Sequence, residues 1–494
     1  MSTLSVVSLI LLAIYTAVLL YLGFVAGKRT KTMADFAVAG GNIGGVLTGL
    51  AVFASFCSAA SYLGIPALLY NQGWSAFWLW IGPALGWVFG VLVLGLRTRV
   101  FGRALGSLTI SQFLGDRYQS RGLVALLGCV TAVLMVPIMI GQLKGSGLVF
   151  QYITGLSYEA GVLISAGVVF LYMVVGGMYA DVYTDAFQAL IMMLMTVLLV
   201  PIGLNLVGGF GGLNQTLAAQ NPVLVAPFNP SFFTPFVATM TVLYWTMAVF
   251  TAQPHGTNKF LSIRSVKDLR AFVIVGTIGY TIFASNVSLA GLFARAVNPN
   301  LPQADTSTLW LLANHFPVWV AATILVAILA ATMSTVDGIL HVVGLSVSND
   351  IYRRFWVPLR GRDPEAPEVD RIALRLSRIM LFVFTVLPTY FALASPPKFL
   401  LLLIYVGIGG ILSATFAPYV VGLYWRGATR SGAIAALVVG LASFLVTLLG
   451  FSQTAIVAGP IAVAASVVTI YVVSKWTPGV PSPAFVAELF SLLK

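Results

Sequence analysis

The sequence is poor in charge and in the residues that build enzymatic sites. Asp, Glu, Lys and Arg make up only 8% of its 494 residues, and it has three histidines and two cysteines. Cys57 and Cys129 both lie in apolar segments, so neither a disulfide framework nor a thiolate metal site is expected. The sequence also lacks GxxxxGK[ST], HExxH and GxSxG motifs, which disfavours an enzyme or a nucleotide-driven pump.

Hydrophobic residues make up 59% of the chain. About 20 apolar residues cross a bilayer as a helix, so the composition predicts an all-α polytopic membrane protein. No basic segment precedes the first apolar run, which is therefore interpreted as a span and not as a secretory signal. Thirteen candidate spans lie at roughly 4–27, 43–70, 74–96, 122–151, 159–177, 182–206, 232–252, 271–297, 317–349, 378–395, 398–425, 430–452 and 455–475.

The basic residues predict the orientation of these spans. If the N-terminus lies outside, 23 of the 26 Lys and Arg residues, Lys259 among them, fall on the cytoplasmic side. Lys144, Arg295 and Lys398 are the exceptions. This bias follows the positive-inside rule and predicts thirteen helices with the N-terminus out and the C-terminus in. The formal charge of +12 is then explained by the topology, and it would also attract anionic lipid of the inner leaflet. We therefore expect no nucleic-acid partner.

The span at 317–349 carries polar side chains at its centre. Ser334, Asp337 and His341 are spaced i, i+3 and i+7, so they share one helical face. Oxygen atoms on a buried face can replace the water shell of a hard cation such as Na⁺, and a charge at that depth marks an ion or substrate path. Alternatively, Ser334 and Thr335 bond only to the backbone of their own helix. We predict that this helix carries half of a cation site.

Two other spans are interrupted by small, polar and helix-breaking residues. The second span contains a segment at 54–66 that ends in Gly64-Ile65-Pro66, and the seventh runs into Gln253-Pro254-His255. Small residues alone would also suit tight helix packing. However, the two spans are five apart and cross the bilayer in opposite senses, as inverted repeats with discontinuous helices do. The pattern favours a transporter.

Four stretches, in order, resemble the sodium/solute symporter family, with the monocarboxylate/acetate, pantothenate and proline carriers as the most similar branches. They are Ala54-Ser55 with Ser58 and Gly64-Ile65-Pro66, the segment 176–188, Gln253-Pro254-His255, and Met333-Ser334-Thr335. The resemblance implies a leucine-transporter-type 5+5 inverted repeat. The implied divisions are an additional N-terminal helix at 1–31, a first repeat at 43–206, a second repeat at 232–425, and two additional helices and a tail at 430–494.

The resemblance also implies a Na⁺ site between the second and ninth spans. Its ligands would be the backbone carbonyls of Ala54, Cys57 and Ala331 and the hydroxyls of Ser334 and Thr335. Two carboxylates near this site are candidates for an ion path or a second ion site. Asp185 matches the family's carboxylate near the intracellular exit, although Asp185 or Asp181 would also suit the cap of the sixth span. Asp337 would bind a second Na⁺ or be neutralised by His341 or Lys144.

The substrate site departs from the proline branch of the family, which has an aspartate at Phe56 and aromatic residues at Pro137 and Thr246. Proline is therefore not the expected substrate. The segment 142–147 resembles acetate and monocarboxylate carriers, and Lys144 would bind a substrate carboxylate, pair with Asp337 or extend outward. The substrate-binding candidates are Ser58, Ser61, Gln142, Lys144, Thr246, Phe250 and Gln253.

The expected function is Na⁺-coupled secondary active import of a small organic solute, a monocarboxylate-like anion, by alternating access. The alternatives are proton coupling through Asp337, His341 and Asp185, Na⁺ symport of a neutral or zwitterionic solute such as an amino acid, and a channel or sensor. The expected partners are the solute, Na⁺ and the lipid bilayer. We expect a monomer in the plasma membrane, or in the inner membrane of a bacterium.

Overall fold

The computed structural model describes residues 2–394, 400–451, 453–477 and 479–493, and Lys398 and Lys494 lie outside this part. Within it the chain is helical, and β-structure is limited to one isolated bridge between Ile43 and Ile263. The predicted all-α architecture is confirmed.

The α-helices follow one another along the whole chain. The first half contains α1 (Thr3–Gly27), α2 (Met33–Val38), α3 (Gly45–Phe56), α4 (Ile65–Gln72), α5 (Trp78–Phe89), α6 (Leu96–Ala104), α7 (Ile110–Arg117), α8 (Arg121–Thr154), α9 (Tyr158–Leu206) and α10 (Gly209–Gln220). The second half contains α11 (Pro235–Thr251), α12 (Pro254–Thr257), α13 (Lys259–Ser262), α14 (Val266–Ile278), α15 (Ser285–Val287), α16 (Leu289–Val297), α17 (Ser307–His315), α18 (Val318–Leu345), α19 (Val357–Leu359), α20 (Pro367–Ala394), α21 (Leu400–Phe416), α22 (Gly422–Tyr424), α23 (Arg430–Leu445), α24 (Ala455–Trp476) and α25 (Pro483–Ser491). Short π-helical segments join several of them, at Ala60–Gly64, Gly90–Gly95, Gly279–Ala284, Ser346–Trp356, Ala417–Val421 and Val446–Gly450.

Among the described residues, ten helical segments are long and apolar enough to cross a membrane, or eleven if one bent pair counts as a span. The longest, α9, has 49 residues and would extend roughly 74 Å at about 1.5 Å per residue, far beyond a hydrocarbon core of about 30 Å. Gly177 divides it, with φ 53° and ψ −136°. A Cβ there would lie 2.8 Å from the carbonyl oxygen of Phe36, so the kink requires glycine. Two spans therefore lie within α9, and the total of thirteen and their orientation stay predictions.

Both interruptions predicted from the sequence are present. The first follows Phe56, where α3 ends and Cys57 takes an extended conformation with ψ 120°. The second lies at Gln253, between α11 and α12, where the helical path bends by 47°. Each break frees backbone carbonyl groups that a continuous helix would have used for its own hydrogen bonds.

Helix α18 lies at the centre of the molecule. Every residue from Ile324 to Leu345 is buried, and the helix packs against α1, α3, α8 and α9. A helix with apolar residues on most of its surface is expected in such a central position. The polar side chains of α18 therefore have to find partners inside the protein.

Candidate functional site

The break after α3 meets the polar face of α18. The Ser334 hydroxyl donates to the carbonyl oxygens of Ala54, at 3.0 Å, and Ala331, at 3.1 Å. The Thr335 hydroxyl donates to the carbonyl oxygens of Cys57, at 3.1 Å, and Ala331, at 3.2 Å. These two hydroxyls and three carbonyl groups, which we call the neutral-oxygen site, lie together and buried.

The local backbone explains why these oxygen atoms converge. The Cys57 carbonyl lies beyond the last turn of α3, and the extended conformation at that residue directs the group away from the helix axis. Ser334 and Thr335 contact this carbonyl and that of Ala54 across some 280 positions of sequence. The interpretation that the two hydroxyls serve only their own helix is therefore wrong. Uncharged oxygen atoms packed this closely suit a hard monovalent cation.

A second, charged group of side chains lies beside this site. The ammonium group of Lys259 is 2.8 Å from Asp181 Oδ2 and 2.6 Å from Asp185 Oδ2. Asp337 completes the group, since the three aspartates each place a carboxylate oxygen within 4.8 Å of the others. We call these four residues the aspartate–lysine cluster. Asp185 and Asp337, the predicted ion path or second ion site, are thus brought together.

The position of Lys259 corrects the sequence analysis, which assigned this residue to a cytoplasmic loop. Its side chain is 0% exposed because α12 and α13 continue the helical path after the break and pack Lys259 against other helices instead of forming a loop. The predicted partners of Asp337 also change. Its Oδ2 accepts the Tyr172 hydroxyl at 2.6 Å, and its Oδ1 accepts the Gly338 N–H at 2.7 Å.

His341, the other predicted partner of Asp337, makes different contacts. Its Nε2 lies 3.1 Å from the Ala37 carbonyl oxygen, and its ring packs 5.3 Å from that of Phe36. Asp181, a candidate helix cap in the sequence analysis, instead pairs with Lys259 in the middle of α9.

A small cavity of about 30 Å³ adjoins the neutral-oxygen site. Thr335 belongs to both, since its side chain also lines the cavity. Four of the seven substrate-binding candidates line the cavity, namely Ser58, Ser61, Gln142 and Gln253. The wall also contains six aromatic rings that the sequence analysis did not select as candidates: Phe56, Trp80, Trp245, His255, Tyr280 and Tyr405.

The other three candidates are not among the described residues of the cavity wall. The Thr246 hydroxyl donates to the Gly82 carbonyl at 3.3 Å, which joins α11 to α5. Phe250 packs against Phe56 and Trp87, with its ring centroid 5.2 Å from each of theirs. Lys144 is buried in α8, with 3% of its surface exposed.

Gln142 provides an oriented donor in the cavity. Its Oε1 accepts the Ala59 N–H at 2.8 Å, within the break of the second span. That bond distinguishes the two ends of the amide, since only the oxygen can accept it. The Nε2 group has no hydrogen-bond partner within the described part of the chain. Gln142 thus connects α8 to the break and has a free N–H₂ group to offer to a bound solute.

Comparison with known proteins identifies the family. The model of the sodium:solute symporter family matches residues 36–440. The chain belongs to this family. Curated relatives of this symporter include the sodium/pantothenate symporter of Escherichia coli, 29% identical over 89% of this chain and 91% of the relative. The sodium/proline symporter 2 of Staphylococcus saprophyticus is 28% identical over 95% of this chain and 92% of the relative.

Solved structures show the same fold. An outward-open, substrate-bound Na⁺-coupled sialic acid symporter aligns with a TM-score of 0.81 at 20% identity, covering 96% of this chain and 99% of that one. A nucleobase-cation-symport-1 family transporter aligns with a TM-score of 0.56 at 15% identity, covering 93% and 99%. Family membership makes this symporter a multi-pass membrane transporter that couples a solute to Na⁺, and not an enzyme.

Proposed function

We propose that this symporter imports a small organic anion, a monocarboxylate, together with Na⁺ bound at the neutral-oxygen site. The main observation behind the proposal is that Thr335 contacts both the ion site and the solute cavity. Its hydroxyl contacts the Cys57 and Ala331 carbonyls of the ion site, and its side chain lines the solute cavity. Two ligands that share a side chain influence each other's affinity, and this coupling free energy is reciprocal.

The chemistry of the cavity favours an anion over an amino acid. A carboxylate only accepts hydrogen bonds, and the Nε2 group of Gln142 is a donor without a protein partner in the described part. The described lining residues include no Asp or Glu, so they offer the ammonium group of an amino acid no counter-ion. Na⁺ at the adjoining site would supply the positive charge that stabilises a carboxylate, while the aromatic wall would contact a small apolar tail.

The transport cycle follows from two broken helices in two inverted repeats, which we assign to 43–206 and 232–425. Na⁺ and the solute enter from the outside, and their binding stabilises one conformation of the break after α3. Movement of one repeat against the other then opens the inner side, and Na⁺ leaves past Asp185. We assign the helices at 1–31 and 430–494 to positions outside the repeats. We also propose that the symporter is a monomer in the plasma membrane, or in the inner membrane of a bacterium.

The test is uptake into proteoliposomes of acetate, pyruvate, lactate, pantothenate, sialic acid, proline and other amino acids. We expect one or more small monocarboxylates to accumulate when the external medium contains Na⁺, and not when choline replaces Na⁺ at the same pH. Uptake of amino acids alone would contradict the monocarboxylate assignment. Uptake that persists in choline and follows a pH gradient would instead indicate proton coupling through Asp337, His341 and Asp185.

A further inference from the structure

The aspartate–lysine cluster already contains a cation of its own. Lys259 is the first residue of α13, which follows α12 in the part of the seventh span beyond the break. Its ammonium group contacts Asp181 and Asp185 of α9 and the Ser55 hydroxyl of α3. All four side chains are buried. The ammonium group therefore lies where three helical elements meet, in contact with two of the three carboxylates.

The formal charges show what Lys259 contributes. Three aspartates and one lysine sum to −2, and without the lysine the sum would be −3 within a few ångströms. Buried charges of one sign are costly in a medium of low dielectric constant. Asp337 is the best supplied with neutral donors, since Tyr172, Gly338 and Thr184 all donate to it. Asp181 and Asp185 depend on Lys259 for their positive partner.

We propose that the Lys259 ammonium group takes the place of a second transported cation, so that the symporter carries one Na⁺ per cycle, at the neutral-oxygen site alone. An ammonium group tethered to α13 provides the positive charge of a bound ion but cannot leave with the solute. This inference rests on Na⁺ coupling and on the neutral-oxygen site, and does not depend on which solute is carried.

Removing the lysine charge should therefore create an ion site. Asp181 Oδ1 and Asp185 Oδ1 have no hydrogen-bond donor among the described residues, so the cluster keeps acceptor atoms available for a cation. Lys259→Met would preserve most of the side-chain volume and remove the charge. The three carboxylates would then carry −3, and one bound Na⁺ would return the cluster to the −2 of the native protein.

The experiment counts bound Na⁺ by equilibrium binding of radioactive ²²Na⁺ to the purified symporter in detergent micelles. We expect about one Na⁺ per wild-type molecule and about two per Lys259→Met molecule, with the Hill coefficient rising from about 1 towards 2. Lys259→Arg keeps the charge and should bind about one. Lys259→Met combined with Asp181→Asn keeps a formal charge of −2 and should also bind about one.

Two Na⁺ per wild-type molecule would overturn the proposal, as would a folded Lys259→Met variant that still binds one. If Lys259→Met does not fold, the wild-type count decides, since one Na⁺ supports the tethered cation and two refute it. Because no solute enters this assay, failure to find a transported monocarboxylate leaves its result unaffected. Where a solute is known, the Na⁺-to-solute flux ratio should rise from about one to about two in Lys259→Met.

Discussion

Two buried polar regions lie side by side in this symporter and are built on opposite principles. The neutral-oxygen site contains carbonyl and hydroxyl groups only, whereas the aspartate–lysine cluster contains four formal charges. Ser55 joins them. Its carbonyl accepts the Thr335 hydroxyl at 3.2 Å, and its own hydroxyl donates to Asp185 at 2.6 Å. One residue of the broken second span thus contacts both regions.

The difference agrees with the roles that we propose for the two regions. A transported ion must bind and leave in every cycle, so its ligands should replace its water shell without holding it too strongly. Uncharged oxygen atoms meet that requirement. A buried ion pair is different, because removing one partner leaves the other charge uncompensated at a cost of about 3–5 kcal/mol. Charges of this kind suit a connection that lasts through the cycle.

The largest effect is expected when the hydroxyls of the neutral-oxygen site are removed. Ser334→Ala combined with Thr335→Ala deletes two of the five oxygen atoms that we propose as Na⁺ ligands. At about 1.5–3 kcal/mol for each bond to a charged group, the Na⁺ concentration for half-maximal uptake should rise by about 100-fold or more. Na⁺ titration of uptake, or of Na⁺-induced thermal stabilisation, measures this shift.

Ser346→Ala is the matched control for that variant. This buried serine lies just beyond α18, and its hydroxyl donates to Val342, in its own helical segment, at 3.0 Å. It should leave the Na⁺ requirement unchanged. An unchanged Na⁺ requirement in the double variant, with the protein folded, would show that the transported ion binds elsewhere.

A slightly smaller effect, on folding rather than on Na⁺ affinity, is expected in the aspartate–lysine cluster. Asp185→Asn removes one of the two carboxylates that contact Lys259 and leaves the ammonium group with Asp181. We expect the free energy of unfolding to fall by about 3 kcal/mol, near the lower end of the range for a broken buried pair. Denaturant titration in mixed micelles measures it.

A double-mutant cycle sharpens this result. Once Asp185→Asn has removed the Lys259–Asp185 contact, adding Lys259→Met cannot remove it a second time, so the combined loss of stability should be smaller than the sum of the two single losses. If the two losses in the free energy of unfolding simply add, Lys259 and Asp185 do not interact energetically. The proposed contrast between the charged cluster and the neutral-oxygen site would then be wrong.

The sequence predicted the neutral-oxygen site much better than the cluster. The helix-breaking residues after Cys57 and the hydroxyls of α18 are local signals, and the family resemblance implied which carbonyl groups join them. Lys259 carries no such signal. The positive-inside rule predicts that a lysine after an apolar span lies in a cytoplasmic loop, but it carries no information on the helical segment after Gln253 that buries this residue. The available clue was that α13 continues a broken span.

The aromatic wall of the cavity was also missed, for a different reason. Trp80, Tyr280 and Tyr405 lie in separate helical segments, more than 100 residues apart along the chain. Aromatic residues make up 12% of the chain, and nothing in the sequence distinguishes those that face the cavity. Only the packing of the helices brings the three together. Gln142 was predictable because it is a polar side chain at the centre of an apolar span.

A moderate effect is expected at Gln142, which adjoins the neutral-oxygen site without belonging to it. Gln142→Ala removes the Nε2 donor that we assign to the solute and the Oε1 acceptor of the Ala59 N–H. The KM for the solute should rise by about 10-fold, as expected for one hydrogen bond to a charged ligand, while the number of bound Na⁺ stays the same. Uptake kinetics at saturating Na⁺ measure the first quantity and ²²Na⁺ binding the second.

Thr246→Val is the control for Gln142→Ala. Thr246 was a substrate-binding candidate, but its hydroxyl donates to Gly82, so its replacement should leave the KM within about twofold. A rise in KM equal to that of Gln142→Ala would place Thr246 at the solute and contradict the cavity assignment.

The smallest effect is expected at an exposed ion pair, which isolates burial as the cause of the contrast. Arg264 and Asp268 form a salt bridge of 3.0 Å, with 63% of the arginine side chain exposed. Water and salt screen such a pair, so Arg264→Ala should lower the free energy of unfolding by less than about 1 kcal/mol. Asp268 would keep its other partners, the Ser265 hydroxyl and the Gly45 N–H. A loss as large as that of Asp185→Asn would mean that pairing itself, and not its burial beside the ion site, gives the aspartate–lysine cluster its strength.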